Sequence, residues 1–266
     1  MTDSHCHLGS DQFSPHEIPA LIARALDHGV KRMITLATGE ENLERNLNLA
    51  MRHPEIHACL GIHPCDVHET RDDFESLLLP HLDHSKVAAV GETGLDYFHP
   101  APEGWTEEDY HARQRDFLYR HFQLAAKQGL NIVIHTRDKS GAASFNDALE
   151  IYREFHQDVR AVFHCFPSTL DQAQKVFALG GLISFTGIVT FKNAQVVAET
   201  ATGCPAGSFM LETDSPYLSP VPHRGKRCQP AFTRFTGEKI AALRNLSLAE
   251  LEKETEETVS CFFRLS

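Results

Sequence analysis

Eight short, near-continuously apolar runs, separated by longer amphipathic stretches in a chain of 266 residues, predict an α/β fold, a single (β/α)8 TIM barrel. Strands buried on both faces read as unbroken apolar runs rather than as alternating ones. Strand–helix alternation repeated through the chain implies a parallel sheet, and eight strands close one into a barrel of roughly 250 residues. An open, doubly wound sheet is the structural alternative. No linker, low-complexity segment or repeat interrupts the sequence, so one domain spanning 1–266 is expected.

The first strand is expected around Thr2–His7, followed by "RMITLAT" (32–38), "IHACLGIH" (56–63) and "VAAVGETGLD" (87–96). "NIVIHTRD" (131–138), "AVFHCF" (161–166), "LISFTGIV" (182–189) and "FMLETDSP" (209–216) complete the set. Between them, Phe117, Phe122, Leu124 and Ala125 recur at near-helical spacing within 112–128, and Gly129 follows as a stop. Ser168-Thr169-Leu170-Asp171 reads as the N-terminal cap of a helix that ends at Gly180-Gly181. Ser247-Leu248-Ala249-Glu250 is a capping box opening a last helix, with Leu248, Leu251, Val259 and Phe262 on one stripe. Segment 97–111, "YFHPAPEGWTEEDYH", is read as an ordered loop over one end of the barrel.

Lys and Arg number 25 against 36 Asp and Glu, a net charge of −11. Such a chain is a poor general binder of nucleic acid, so any polyanionic substrate must be held by a local positive site. Seven scattered cysteines without a CxxC pair argue against a disulfide framework and for a reducing compartment. No targeting segment or membrane-length apolar run is present, so a cytoplasmic protein with no membrane partner is expected, as a monomer.

Barrel chemistry sits where strands end, so the informative residues are polar ones late in the apolar runs. These are His5 and His7 on the first, His63 on the third, Glu92 on the fourth, His135 on the fifth, His164 on the sixth and Asp214 on the eighth. Side chains at i and i+2 of a strand leave the same face, so His5 and His7 point together with Asp3 behind them and Cys6 opposite. With 17 histidines in the chain, any single one is as readily a packed core residue as a ligand. Glu92 and Asp214 are stronger signals, because a buried acid costs several kcal/mol unless paired or bound to a metal. Cys6 and Cys165 each neighbour one of these histidines and by strand parity face the other way, as packing residues.

The remaining set is four imidazoles and two carboxylates: His5, His7, His135, His164, Glu92 and Asp214. Such ligands suit Zn, Mn or Mg. They exceed the roughly three protein ligands of one open catalytic ion, so two divalent cations sharing a carboxylate are expected. The positive charge left over attracts hydroxide and an anionic substrate, with phosphate esters the natural fit.

"DSHCHL", "GIHP", "VGETGLDYF", "IHTRD", "HCF" and "LETDSPYLSPVPHRGKR" together resemble the motifs of TatD-related metal-dependent hydrolases, a branch of the amidohydrolase-like barrels. The resemblance runs from residue 3 to about residue 230. It implies a (β/α)8 barrel with two divalent ions and deoxyribonuclease activity, often 3′→5′ exonucleolytic, on single-stranded DNA or another nucleic acid. It gives His5, His7, Glu92 and Asp214 to one ion, and Glu92, His135 and His164 to the other, with Glu92 bridging. His63 resembles the substrate-side histidine. The sequence departs from the family at Cys228, where an asparagine is usual, at Thr258 and Val259, and in the length of 97–111.

In the mechanism this suggests, two ions clamp the attacking and leaving oxygens of a phosphodiester, with Asp214 as general base. His63 and Arg137 donate to the non-bridging oxygens. Arg224, Lys226 and Arg227, in "HRGKR" after the eighth strand, either contact the substrate backbone or form a solvated charged loop. Tyr97, Phe98 and Trp105 either stack bases or pack the loop. Two rivals are a carbonyl-centred hydrolase acting on amides, lactones or amines, and a non-catalytic metal-binding scaffold. Against the first, many such enzymes bridge their ions with a carboxylated lysine where this chain carries Glu92.

Overall fold

The structure is a computed structural model and describes residues 1–265. Strands and helices alternate from the start: β1 (Thr2–Cys6), α1 (Ile18–Asp27), β2 (Arg32–Leu36), α2 (Glu40–Arg52), β3 (Ile56–Leu60) and α3 (Glu75–Leu82). They continue as β4 (Val87–Tyr97), α4 (Glu107–Gln128), β5 (Asn131–Asp138), α5 (Ala143–Phe155), β6 (Ala161–Phe163) and α6 (Leu170–Phe177). The chain ends with β7 (Leu182–Phe185), α7 (Gln195–Gly203), β8 (Phe209–Leu211), α8 (Thr233–Arg244) and α9 (Leu248–Phe263).

The eight strands are parallel and lie side by side in sequence order. The ring closes where β1 meets the chain leaving β8. Cys6 bridges to Ser215, the Asp214 N–H donates to the His5 carbonyl at 2.9 Å, and the His7 N–H donates to Ser215 at 2.7 Å. This is the expected (β/α)8 barrel.

Inward residues such as Ile34, Leu36, Cys59, Ala89, Val133 and Met210 fill the lumen in one apolar cluster. Helix α9 seals its lower mouth with Val259, Phe262 and Phe263. Polar groups fix that helix: the Met1 ammonium meets Glu252, Arg32 meets Glu256 at 2.9 Å, and Asn131 donates to the Phe262 carbonyl at 2.6 Å. The capping box at Ser247 forms as expected, with its hydroxyl accepting from the Glu250 N–H. Opposite residues of the strands face the surrounding helices in a second, larger cluster.

Six strands end sooner than the apolar runs suggest, β1 and β2 by only one or two residues. Beyond Leu60, Phe163, Phe185 and Leu211 the chain leaves the ladder, so His63, His164 and Asp214 stand just past strand ends. After β7 the apolar run continues as a 3-10 turn, Gly187–Thr190, whose start is capped by the Thr186 hydroxyl. The segment 97–111 is loop only in part. Thr106 caps α4 by accepting from the Asp109 N–H at 3.1 Å, and Tyr110 is already buried helix. Among the described residues, no helix is long and apolar enough to cross a membrane.

Candidate metal centre and active site

At the upper mouth, a cavity of about 680 Å3 has His7, His63, Glu92, His135, His164 and Asp214 among its lining. Glu92 stands at its centre. The β4–β5 register slips between Val90 and Thr93, a bulge that re-aims the Glu92 side chain into the mouth. Its two oxygens face different groups. Oε2 lies 3.3 Å from His5 Nε2 and 3.4 Å from His7 Nε2, and Asp214 Oδ1 lies 3.3 Å from that same His7 atom. Oε1 lies 2.9 Å from His164 Nε2, 3.2 Å from His135 Nδ1 and 3.5 Å from His63 Nε2.

The partners of the far ring nitrogens decide what each imidazole offers inward. His7 Nδ1 donates to the Leu36 carbonyl at 3.3 Å, and His135 Nε2 donates to Asp96 Oδ2 at 3.1 Å. Each neutral ring therefore turns a bare nitrogen toward Glu92, the arrangement usual for metal-binding histidines. His63 is the reverse: its Nδ1 accepts from the Cys65 N–H at 3.1 Å, which places the ring proton on Nε2. Burial pushes His63 down to about 3, so the ring stays neutral. It offers the cavity a donor, not a lone pair.

The remaining inward atoms are imidazole nitrogens and carboxylate oxygens packed at hydrogen-bond distance, with His5 and His7 Nε2 only 3.2 Å apart. That is the donor set that divalent cations of the Zn, Mn or Mg kind take. Burial pushes the Glu92 carboxyl up, but the neighbouring histidines, His164 foremost, overcome it and hold the group well below its ordinary value. His164 answers: burial presses its ring down, yet Glu92 and Glu212 carry it well above the ordinary histidine value. Four carboxylates, Asp66, Glu92, Asp96 and Asp214, line the cavity against the single guanidinium of Arg137. Without cations the cavity would repel an anion.

Other expected residues fall elsewhere. Arg227 is paired with Glu17 at 2.6 Å and lies over the Phe13 ring, and the Arg224 guanidinium sits 3.7 Å from the Phe191 ring centre. Neither these two nor Lys226 lines the cavity. Tyr97 is a packing residue, stacked on His111 at 3.8 Å and donating to Asp147, and Trp105 packs against the core. Phe98 stays at the rim, half-exposed, beneath Arg137 at 4.0 Å. Cys6 faces the outer core as expected, but Cys165 lines the cavity. Strand parity does not reach it, because β6 ends at Phe163 and Cys165 adopts φ 46°. Cys228 is fully buried, and its N–H donates to the Pro216 carbonyl at 3.0 Å, holding down the chain after β8.

Several contributors escaped the sequence reading. Asp96 is buried, its carboxylate accepts from the Phe98 and His99 N–H groups, and it orients His135. Glu212 accepts from the Cys165 N–H at 2.7 Å and lies 3.5 Å from His164 Nδ1. Tyr217 lines the cavity. A parity signal existed for Asp96, which is four residues past Glu92 on the same strand. Asp3 holds the chain after β8 by accepting from the Thr213 N–H and hydroxyl at 2.9 and 2.6 Å.

A parallel eight-stranded barrel with a buried histidine–carboxylate donor set at its C-terminal mouth defines a metal-dependent hydrolase of the barrel class. The family model described as TatD related DNase matches residues 2–264, so the chain belongs to the TatD family. It is 34% identical over 270 residues to the uncharacterized metal-dependent hydrolase YcfH of Escherichia coli (strain K12), covering 100% of this chain and 96% of that protein. It is 29% identical to the uncharacterized metal-dependent hydrolase YabD of Bacillus subtilis (strain 168), covering 99% of each. Among solved structures, the TatD homologue YJJV of Escherichia coli K12 superposes with a TM-score of 0.89 at 26% identity. That match covers 100% of this chain and 98% of YJJV.

Proposed function

We propose that this chain is a deoxyribonuclease that hydrolyses phosphodiester bonds of single-stranded DNA from the 3′ end, using two divalent cations. The observation that carries the reading is the split orientation of Glu92, whose two oxygens each face a separate cluster of imidazole nitrogens. His5, His7, Glu92 and Asp214 would hold one ion, and Glu92, His135 and His164 the other, the division that follows the two oxygens of Glu92. Bound there, two divalent ions would offset the four carboxylates of the cavity, leave Arg137 in excess and supply Lewis-acid activation of water and phosphate.

The chain's own groups have distinct tasks. Asp214 is held below its ordinary value, burial being outweighed by His7, so it is ionised and takes the proton of the attacking water. His63 Nε2–H and the Arg137 guanidinium donate to the non-bridging oxygens, where negative charge develops. Arg137 is steadied for this by the Phe98 ring, and its planar fork suits a phosphate better than a carbonyl. Asp96 keeps His135 in the ligating tautomer, and Asp3 holds the turn that carries Asp214.

The test is incubation with 3′-labelled and 5′-labelled single-stranded oligonucleotides in Mg2+, Mn2+, Zn2+ or chelator. Mononucleotide release from the 3′ end, lost with chelator, is the expected result. Turnover of amides or lactones without oligonucleotide cleavage would give the site to carbonyl chemistry. No turnover of any of these with any ion would leave a scaffold.

A further inference from the structure

A second group of ligand-type side chains lies beside the first, and no step of the proposed hydrolysis uses it as such. Cys65 sits in the 3-10 turn Pro64–Asp66 after β3, Asp96 near the end of β4, and His99 on the loop that follows. Their Sγ, carboxylate oxygen and ring nitrogen all lie within 4.8 Å of one another. Cys65 Sγ is 3.6 Å from His99 Nδ1, and His99 Nδ1 is 3.0 Å from Asp96 Oδ2. A tetrahedral zinc with Zn–S near 2.3 Å and Zn–N near 2.0 Å sets its sulfur and nitrogen about 3.6 Å apart. The Cys65 sulfur and His99 nitrogen already hold that spacing.

We propose that Cys65, Asp96 and His99 form a third cation site, for a thiophilic divalent ion of the zinc type. A thiolate, an imidazole and a carboxylate select zinc or cobalt over magnesium. Asp96 is suited to the role because its oxygens are divided. Oδ1 is fixed by the Phe98 and His99 N–H groups at 3.0 and 2.9 Å, which leaves Oδ2 turned toward His99 and His135. Asp96 and His99 both line the cavity, so the fourth coordination position opens onto it, as in catalytic rather than structural zinc sites. Loading releases the Cys65 thiol proton to solvent and moves the His99 ring proton from Nδ1 to the other nitrogen. Oδ2 then lies between the ion and His135 Nε2–H, joining the third site to the candidate pair through one carboxylate.

The test uses the full chain loaded with Zn2+ or Co2+, read by elemental analysis and absorption spectroscopy, and needs no substrate. The cobalt protein is expected to show a thiolate-to-cobalt charge-transfer band, and Cys65→Ser to lose both that band and one ion per chain. Cys165→Ser, which removes the other cavity thiol, is expected to keep both. His99→Ala serves as a second variant, because that half-exposed ring can be removed without touching the core; it too should lose the ion. Equal metal content in wild type and both site variants would overturn the proposal and leave a hydrogen-bonded trio that only orients His135. A band that survives Cys65→Ser and disappears in Cys165→Ser would overturn it as well.

Discussion

The main-chain N–H of Asp214 donates to the carbonyl of His5 at 2.9 Å, so a hydrogen bond that closes the barrel joins two members of the candidate metal centre. Ring closure and site assembly are therefore one event. Helix α9, packed across the opposite mouth, supports the same seam through the Met1 ammonium and Thr2 hydroxyl of β1.

Glu92→Gln tests the bridging role. The substitution keeps volume and removes the charge that faces both imidazole clusters. Bound metal, measured by elemental analysis, should fall, and hydrolysis should drop by more than about 100-fold, the upper end for lesser partners of metal ligands. Unchanged metal content would remove Glu92 from the bridge.

His63→Ala separates a donor from a ligand. Because the His63 proton sits on Nε2, the variant should keep its metal while kcat falls by about 100- to 1000-fold, as when a preorganised donor to the transition state is removed. Loss of an ion instead would make His63 a ligand.

Arg137 and Arg227 should behave differently. Arg137→Ala should raise KM for oligonucleotides and flatten its log–log salt dependence by about 0.7 for each phosphate no longer neutralised. Arg227→Ala breaks the pair with Glu17 and should leave both measurements unchanged. The opposite pattern would return substrate binding to the loop after β8.

Gly94 marks how closely β4 and β5 approach beside the centre. At φ 147°, an added Cβ would lie 2.0 Å from the His135 carbonyl oxygen. Gly94→Ala combines backbone strain with overpacking and should cost about 2–5 kcal/mol, read from urea unfolding with an unchanged m-value. A loss below about 0.5 kcal/mol would show that the strands can part freely.

His121 supplies a pH signature away from the metal centre. Burial pushes this ring from 6.5 down to about 4, and its Nε2 accepts from the Ile62 N–H. Above pH 6.5 it is neutral in both states and contributes no pH dependence. Below that the unfolded chain binds the proton first, so stability falls as pH drops toward 4, by about 3 kcal/mol in total at about 1.4 kcal/mol per pH unit. Chemical unfolding from pH 7 to 4.5 should show this slope, and His121→Gln should make it shallower. An identical slope in the variant would assign the effect to other groups.

What the sequence alone determined was whatever repeats locally. Apolar runs marked all eight strands, the capping box at Ser247 marked α9, and i, i+2 parity set His5 and His7 on one face with Cys6 behind, each because it depends only on backbone period. Polar residues late in those runs, from His5 to Asp214, marked the mouth because burial in a strand is costly for such groups. Tertiary structure decided everything that depends on which strand ends meet. It decided the tautomers of His7, His63 and His135, set by Leu36, Cys65 and Asp96, and it drew Arg227 to Glu17 and away from the cavity. It also turned Cys165 inward where β6 stops short. Barrel register and closure bring distant stretches within hydrogen-bond reach of one another, and no local period carries that information.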